Sequence, residues 1–205
     1  MNASHKAIRL GLTGGVGCGK TTAAAVLSEL GARVVDADAI SRKLTQPSGA
    51  ALGAIRARFG DQVFAPDGTL DRAKLGALVF ENQKERLALE AIMHPAIQKE
   101  MLRLIDLADQ EEAPVVVLDV PLLFECGLDA LCDEVWVVTV GQDQQALRVM
   151  KRDQITRAQA MARIGSQMPL AQKETRADRV INTTRPEAEV KMELKHLYKE
   201  LTRRR

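Results

Sequence analysis

The sequence predicts an α/β protein in which a three-layer, doubly wound parallel sheet of about five strands carries helices on both faces. Two observations lead to this fold class. Several short segments are apolar without alternation, as expected of strands covered on both faces, and helical patterns separate them. A glycine-rich loop also lies between the first strand and the first helix, at the kind of strand end where such sheets bind ligands.

The first strand and the first helix flank this loop. Residues 8–13 predict a short strand, and residues 20–30 predict a helix with apolar residues at helical spacing. Gly31 follows the helix directly, and glycine often ends helices because it adopts positive φ without strain. The helix therefore starts at the loop and presents its amino end to whatever the loop binds.

Later strands are predicted at residues 33–36, 115–119 and 135–140, and a weaker one at 179–182. Residues 39–114 form a helical insertion that is larger than one crossover requires, and we expect it to be a substrate-binding lobe. Three turn signals are expected to break it: Pro47-Ser48-Gly49, Ala65-Pro66-Asp67-Gly68 and His94-Pro95.

The segment of residues 144–178 is charged and helical. Such a segment is either a solvated helical surface or, because it follows a strand end, a mobile lid, and the second interpretation is favoured. One domain spanning residues 1–205 is thus expected. Its parts are a core (about 1–38, 115–143 and 179–205), the helical insertion (about 39–114) and the lid (about 144–178).

The spacing Gly14-x4-Gly19-Lys20-Thr21 fits the phosphate-binding loop, or P-loop. Glycines let backbone N–H groups turn toward phosphate oxygens because no Cβ lies in the way. Lys20 is expected to reach the β- and γ-phosphates of a nucleotide, and Thr21 to offer its hydroxyl to Mg²⁺. The alternative, a glycine-rich turn that precedes Lys-Thr by chance, is disfavoured by the strand before the loop and the helix after it.

Acidic residues end two of the predicted strands. Asp36 and Asp38 are two residues apart, so both project from one face if the backbone stays extended. A carboxylate placed there can orient an acceptor hydroxyl or accept its proton, although aspartate also favours a helix N-cap. Asp119 ends an apolar strand, where a carboxylate holds Mg²⁺ or its water in nucleotide-hydrolysing folds; a turn aspartate is the alternative.

Composition argues against several classes of protein. Among 205 residues, Lys and Arg total 29 and Asp and Glu total 27, so net charge gives no support for nucleic-acid binding, and Arg203-Arg204-Arg205 is expected to be a solvated tail. Cys18, Cys126 and Cys132 show neither zinc-ligand nor disulfide spacing, which favours reduced thiols. No signal-peptide pattern or long apolar run is present, and a cytoplasmic location without membrane association is expected.

Several motifs in order along the chain resemble the dephospho-CoA kinase family. They are Gly11-Leu12-Thr13-Gly14-Gly15-Val16-Gly17-Cys18-Gly19-Lys20, Asp36-Ala37-Asp38 with Arg42, Asp71-Arg72 with Leu75-Gly76, His94-Pro95, Asp119-Val120-Pro121-Leu122-Leu123-Phe124-Glu125, Gln145-x2-Arg148-x3-Arg152, Ser166-Gln167 and Ala177-Asp178. The resemblance covers nearly the whole chain, and it depends on the order and spacing of the motifs more than on any one of them.

The resemblance implies a nucleoside-monophosphate-kinase-like enzyme that transfers the γ-phosphate of ATP to the ribose 3′-hydroxyl of dephospho-CoA, with Mg²⁺ as cofactor and no obligate protein partner. It implies a catalytic set of Asp38, Lys20 and Arg152. Acceptor-side residues would be Asp38, Arg42 and His94, and Thr21 and Asp119 would bind the metal. ATP would contact Gly14, Gly15, Gly17, Cys18, Gly19, Lys20, Thr21, Thr22 and Arg148.

The chain departs from the family pattern in two places. Cys18 and Thr21 stand where the family usually has serine; Thr21 keeps the hydroxyl, and Cys18 would contribute mainly its backbone N–H. Asn182-Thr183-Thr184-Arg185-Pro186 replaces the usual asparagine-glycine turn, so no residue is assigned to adenine there. A kinase of another small acceptor is the nearer alternative. A GTP switch is more distant, because the chain has neither Asp-x-x-Gly nor Asn-Lys-x-Asp.

Overall fold

The computed structural model describes residues 6–204. Its strands are β1 (Ile8–Gly14), β2 (Arg33–Asp36), β3 (Val115–Asp119), β4 (Glu134–Thr139) and β5 (Arg179–Asn182). Its α-helices are α1 (Lys20–Glu29), α2 (Ala37–Leu44), α3 (Leu52–Phe59), α4 (Arg72–Glu81), α5 (Gln83–Gln110), α6 (Gln142–Asp153), α7 (Arg157–Gly165), α8 (Leu170–Glu174) and α9 (Glu187–Thr202).

The strands form one parallel sheet in the order β2-β3-β1-β4-β5 within the described residues. The predicted fold class is therefore confirmed. β1 lies at the centre, where Leu12 is in register with Asp119 of β3 on one side and Trp136 of β4 on the other. All residues of β3 and β4 are buried, which explains why these strands are apolar without alternation.

Helices cover both faces of the sheet. On one face, α1 and α9 contact each other, and their apolar residues form a core with Trp136 and Val138 of β4. Because side chains alternate along a strand, Thr139 points to the other face, where its hydroxyl donates to Glu174 of α8. The glycine-rich loop follows the central strand and therefore lies at the carboxyl edge of a sheet that is packed on both sides.

The chain divides into two compact units, one comprising residues up to 36 and from 105 onward, and the other residues 37–104. The second unit contains α2, α3, α4 and most of α5. The predicted break at His94-Pro95 is wrong, because α5 continues through Pro95. Proline removes one N–H from the helical ladder, but in a helix of 28 residues the hydrogen bonds before and after it remain.

The structure differs from two further expectations, one at the end of β2 and one at the carboxyl end of the chain. The backbone does not stay extended from Asp36 to Asp38, because α2 starts at Ala37, so the two carboxylates do not share a strand face. Arg204 is not merely solvated, since its guanidinium lies 2.7 Å from the buried carboxylate of Glu134, and Arg205 lies outside the described residues. No helix within residues 6–204 is long and apolar enough to cross a membrane.

Candidate phosphate-binding site

The phosphate-binding loop, residues 14–21, is shaped by glycines with left-handed backbone angles. Gly17 has φ 77° and Gly19 has φ 91°, which only glycine adopts without strain. Gly19 precedes α1, and its carbonyl accepts hydrogen bonds from the N–H groups of Thr22 and Ala23. The N–H groups of Lys20 and Thr21 have no intrahelical acceptor at this helix end, so they are suited to binding an anion.

Lys20 and Asp119, predicted to bind phosphate and metal, form an ion pair. Their side chains are 14% and 8% exposed, so the pair is largely withdrawn from water. The pairing follows from the topology, because β1, which leads into the loop, is hydrogen-bonded to β3, which ends at Asp119. The structure thus places a cation and a carboxylate together where the two strands end.

The residues present fit a magnesium ion that also binds nucleotide phosphates. Thr21 and Asp119 offer oxygen atoms, which Mg²⁺ prefers, and Mg²⁺ commonly takes only one or two carboxylates and fills its other positions with water and phosphate oxygens. Within residues 6–204 no cluster of three or more histidine, cysteine, aspartate or glutamate side chains is arranged to hold a metal by itself. The oxygen atoms of Thr21 and Asp119 are compatible with a Mg²⁺ ion that is bound together with a nucleotide.

Cys18 lies within the loop as a buried, free thiol. Burial raises the pKa of this thiol to about 11, which favours its protonated form at neutral pH. Its backbone N–H donates to the Gly15 carbonyl at 3.1 Å, so this amide takes part in the turn of the loop. Cys126 and Cys132 are likewise not in disulfides within the described residues, which agrees with the expectation of reduced thiols.

Arg148 of α6 contacts the loop and the turn that follows β5. Its Nη1 donates to the Thr183 hydroxyl at 2.9 Å and its Nη2 to the Thr183 carbonyl at 2.8 Å, while the Gly17 carbonyl lies 3.5 Å from Nη1. The Thr183 hydroxyl is also 2.8 Å from the Cys18 carbonyl. Thr183 therefore links this arginine to the loop.

Thr183 was not identified from the sequence. It lies in the segment that departs from the family pattern, and 165 positions separate it from Cys18 along the chain, so no local signal indicates the contact. Two glutamines, Gln145 and Gln167, also contact the loop at Val16. Both belong to motifs that carry the family resemblance, and that membership is the one sequence signal that marks them.

Arg152, the other predicted lid arginine, is directed elsewhere. Its guanidinium binds the adjacent Asp153 through Nε at 2.7 Å and Nη2 at 3.0 Å, and its side chain is 59% exposed. The Asp153 carboxylate also pairs with Arg163, and its pKa is lowered mainly by the hydrogen bond from Arg152. The structure brings Arg148 to the loop and leaves Arg152 in an exposed ion-pair cluster.

The second unit contains the three predicted acceptor-side residues. Asp38 and Arg42 are exposed on α2 and lie four residues apart, so they are neighbours on one helix face. His94 is exposed on α5. Within the same unit a cavity of about 440 Å³ is lined by Arg42, Arg72 and the segment that follows α2.

These features together define a class of protein. A central parallel strand leads through a glycine-rich loop into a helix whose first residue is Lys20, and this lysine pairs with a carboxylate at the end of the neighbouring strand. Such an arrangement defines a P-loop nucleotide-binding protein.

Comparison with known proteins identifies the particular family. The sequence model described as dephospho-CoA kinase matches residues 8–188. A dephospho-CoA kinase of Geobacillus kaustophilus is 44% identical over 193 residues, which are 94% of this chain and 96% of the relative. The chain belongs to the dephospho-CoA kinase family.

Solved structures agree with this assignment. A dephospho-CoA kinase from Campylobacter jejuni is 28% identical, with a TM-score of 0.72 over 95% of this chain and 97% of its own. The protein TT1252 from Thermus thermophilus is 32% identical, with a TM-score of 0.80 over 95% of this chain and 98% of its own. The fold that positions the loop is therefore that of kinases in this family.

Proposed function

We propose that this chain transfers the γ-phosphate of ATP to the ribose 3′-hydroxyl of dephospho-CoA, giving coenzyme A and ADP. Family membership identifies the acceptor. The observation that carries the chemistry is the Lys20–Asp119 pair at the P-loop, because it unites the phosphate-binding cation with the carboxylate of a nucleotide-bound metal. We place the reaction in the cytoplasm, as the composition suggests.

On the ATP side, Lys20 exchanges its carboxylate partner for β- and γ-phosphate oxygens when the nucleotide binds, and the amides at the start of α1 add donors. Thr21 and Asp119 would hold Mg²⁺ together with the nucleotide, and the ion would supply neutralisation of the phosphate charge. Arg148 donates hydrogen bonds to the Gly17 and Thr183 carbonyls beside the loop. Lys20 thus has an oppositely charged partner both before and after ATP binds. This partner limits the free-energy cost of removing the Lys20 ammonium group from water.

On the acceptor side, Asp38 orients or deprotonates the ribose hydroxyl, and Arg42 and His94 bind the acceptor. The cavity lined by Arg42 and Arg72 supports this role, because two guanidinium groups suit the diphosphate of dephospho-CoA. Arg72 is held by hydrogen bonds of its Nη2 to the Arg42 carbonyl at 3.2 Å and the Thr45 hydroxyl at 2.7 Å. Its remaining donors can face an anion.

Release of ADP, measured with and without dephospho-CoA, tests this function. Dephospho-CoA is expected to raise the rate strongly, since a kinase excludes water from the transferred group. A panel containing nucleotides and a sugar acid separates the candidate acceptors, and phosphorus NMR of the product locates the new phosphate. Acceptor-independent hydrolysis, or preference for another acceptor, would contradict the proposal.

The proposed role of Arg152 can be tested against a matched arginine. Arg152→Ala is expected to lower turnover by about tenfold or more, because a lid arginine neutralises charge on the transferred phosphoryl group. Arg157→Ala is expected to leave turnover within about twofold, because the Arg157–Asp143 pair is exposed and such pairs contribute little. Both rates are measured at saturating ATP and dephospho-CoA.

The two arginines are similarly exposed, at 59% for Arg152 and 57% for Arg157, although Asp153 is 16% exposed and Asp143 is 85% exposed. The melting temperature of each variant is measured beside its turnover, so that a loss of catalysis is separated from a loss of stability. Equal, mild effects on turnover would remove Arg152 from the catalytic set.

A further inference from the structure

Both backbone polar groups of Val16, its N–H and its carbonyl, are hydrogen-bonded to glutamine side chains. The Val16 N–H donates to Oε1 of Gln167 at 2.9 Å, and the Val16 carbonyl accepts from Nε2 of Gln145, also at 2.9 Å. Val16 lies in the middle of the phosphate-binding loop, and the glutamines are 129 and 151 positions further along the chain. The central residue of the loop is thus hydrogen-bonded to side chains from two distant segments of the chain.

The backbone groups of Val16 determine which atom of each glutamine side-chain amide faces them. A backbone N–H can only donate and a carbonyl can only accept, so Gln167 must present oxygen and Gln145 must present nitrogen. The two glutamines therefore have opposite requirements. A carboxylate can replace the amide at position 167 and keep the hydrogen bond, but at position 145 it removes the only donor.

Each glutamine is itself held in place. Gln145 is 3% exposed near the start of α6, and its amide packs so closely on the loop that a Cβ at Gly15 would lie 2.5 Å from Nε2. Gln167 lies between α7 and α8, and the next N–H, that of Met168, donates to Glu125 at 3.0 Å. Glu125 in turn pairs at 2.9 Å with Lys173, which is fully buried.

We propose that Gln145 and Gln167 are positioning residues for phosphoryl transfer, an inference that rests on the proposed function. They hold the loop in its phosphate-binding shape before ATP arrives. Donors that are already oriented need no reorganisation when charge develops on the transferred group. Since both glutamines lie within residues 144–178, the predicted lid, the loop and that segment share one hydrogen-bonded unit.

Two Gln→Glu substitutions, which make the same change in charge, test this proposal. Gln145→Glu is expected to lower kcat/KM for ATP by about tenfold or more, because its only donor to the Val16 carbonyl is lost. Gln167→Glu keeps the acceptor and is expected to stay within about threefold of Gln172→Glu, which adds the same charge at an exposed site on α8. Gln167→Met, which removes the acceptor, is expected to resemble Gln145→Glu.

Hydrogen exchange of the Val16 amide in the free protein gives a readout that needs no activity. Gln167→Met is expected to speed this exchange by about tenfold or more, whereas Gln167→Glu keeps it slow. Equal losses of kcat/KM in the two Gln→Glu variants, unchanged exchange in Gln167→Met, or lowered melting temperatures with normal kcat/KM would each overturn the proposal. Absence of acceptor-dependent ADP release in the unmodified protein would instead overturn the proposed function, and the exchange result would stand by itself.

Discussion

Replacement of Lys20 by alanine is expected to lower kcat/KM by about 10²- to 10³-fold, the usual loss when one preorganised charge-stabilising group is removed. The positive charge of Lys20 is expected to follow the β- and γ-phosphates into the transition state, where negative charge spreads over the transferred oxygens. The measurement is acceptor-dependent ADP release, with circular dichroism to confirm that the variant is folded.

The structure adds a consequence for stability. Lys20→Ala removes one cation from beside the largely buried Asp119 carboxylate, so the melting temperature is expected to fall as well. Lys20→Arg keeps the charge beside Asp119 and is expected to recover most of the stability but only part of the activity. Lys191→Ala removes an exposed pair with Glu187 and should change neither. Near-normal turnover in folded Lys20→Ala protein would refute the phosphate-binding role.

The sequence was sufficient for the sheet and the loop because their signals are local. Strands buried on both faces must be apolar throughout, which made the Val115–Asp119 strand recognisable from its residues alone. The P-loop spacing combines positive-φ glycines with a lysine at the start of a helix, and the structure shows both. The Lys20–Asp119 contact also follows once the loop and Asp119 are placed at the carboxyl ends of neighbouring parallel strands.

Contacts between distant segments could not be predicted in this way. Thr183, Gln145 and Gln167 reach the loop from more than 120 positions away, and nothing in their local sequence indicates these contacts. Local rules also failed where tertiary structure overrides them. Pro95 signals a break, yet α5 continues through it, and Asp38 reads as the end of a strand although α2 has already begun.

Replacement of Asp38 by asparagine is expected to lower turnover by about 10²- to 10⁴-fold, the usual contribution of a general base. The substitution keeps size and hydrogen bonding but removes the charge and the basic oxygen. Because the transition state is loose, the acceptor proton can leave late, and the loss then lies at the lower end of this range. ATP affinity is expected to change little, since Asp38 is assigned to the acceptor. Turnover and ATP affinity are measured separately.

Asp36→Asn is the matched comparison, because it makes the same chemical change two residues earlier. Asp36 ends β2 in register with Asp119 of β3, so it belongs to the edge of the sheet that carries the proposed metal site, whereas Asp38 is exposed in the first turn of α2. The two substitutions should therefore separate acceptor chemistry from nucleotide binding. If Asp36→Asn is the more damaging to turnover, or if Asp38→Asn mainly abolishes ATP binding, then Asp38 is a metal or structural residue, and the group that handles the acceptor hydroxyl must be sought elsewhere.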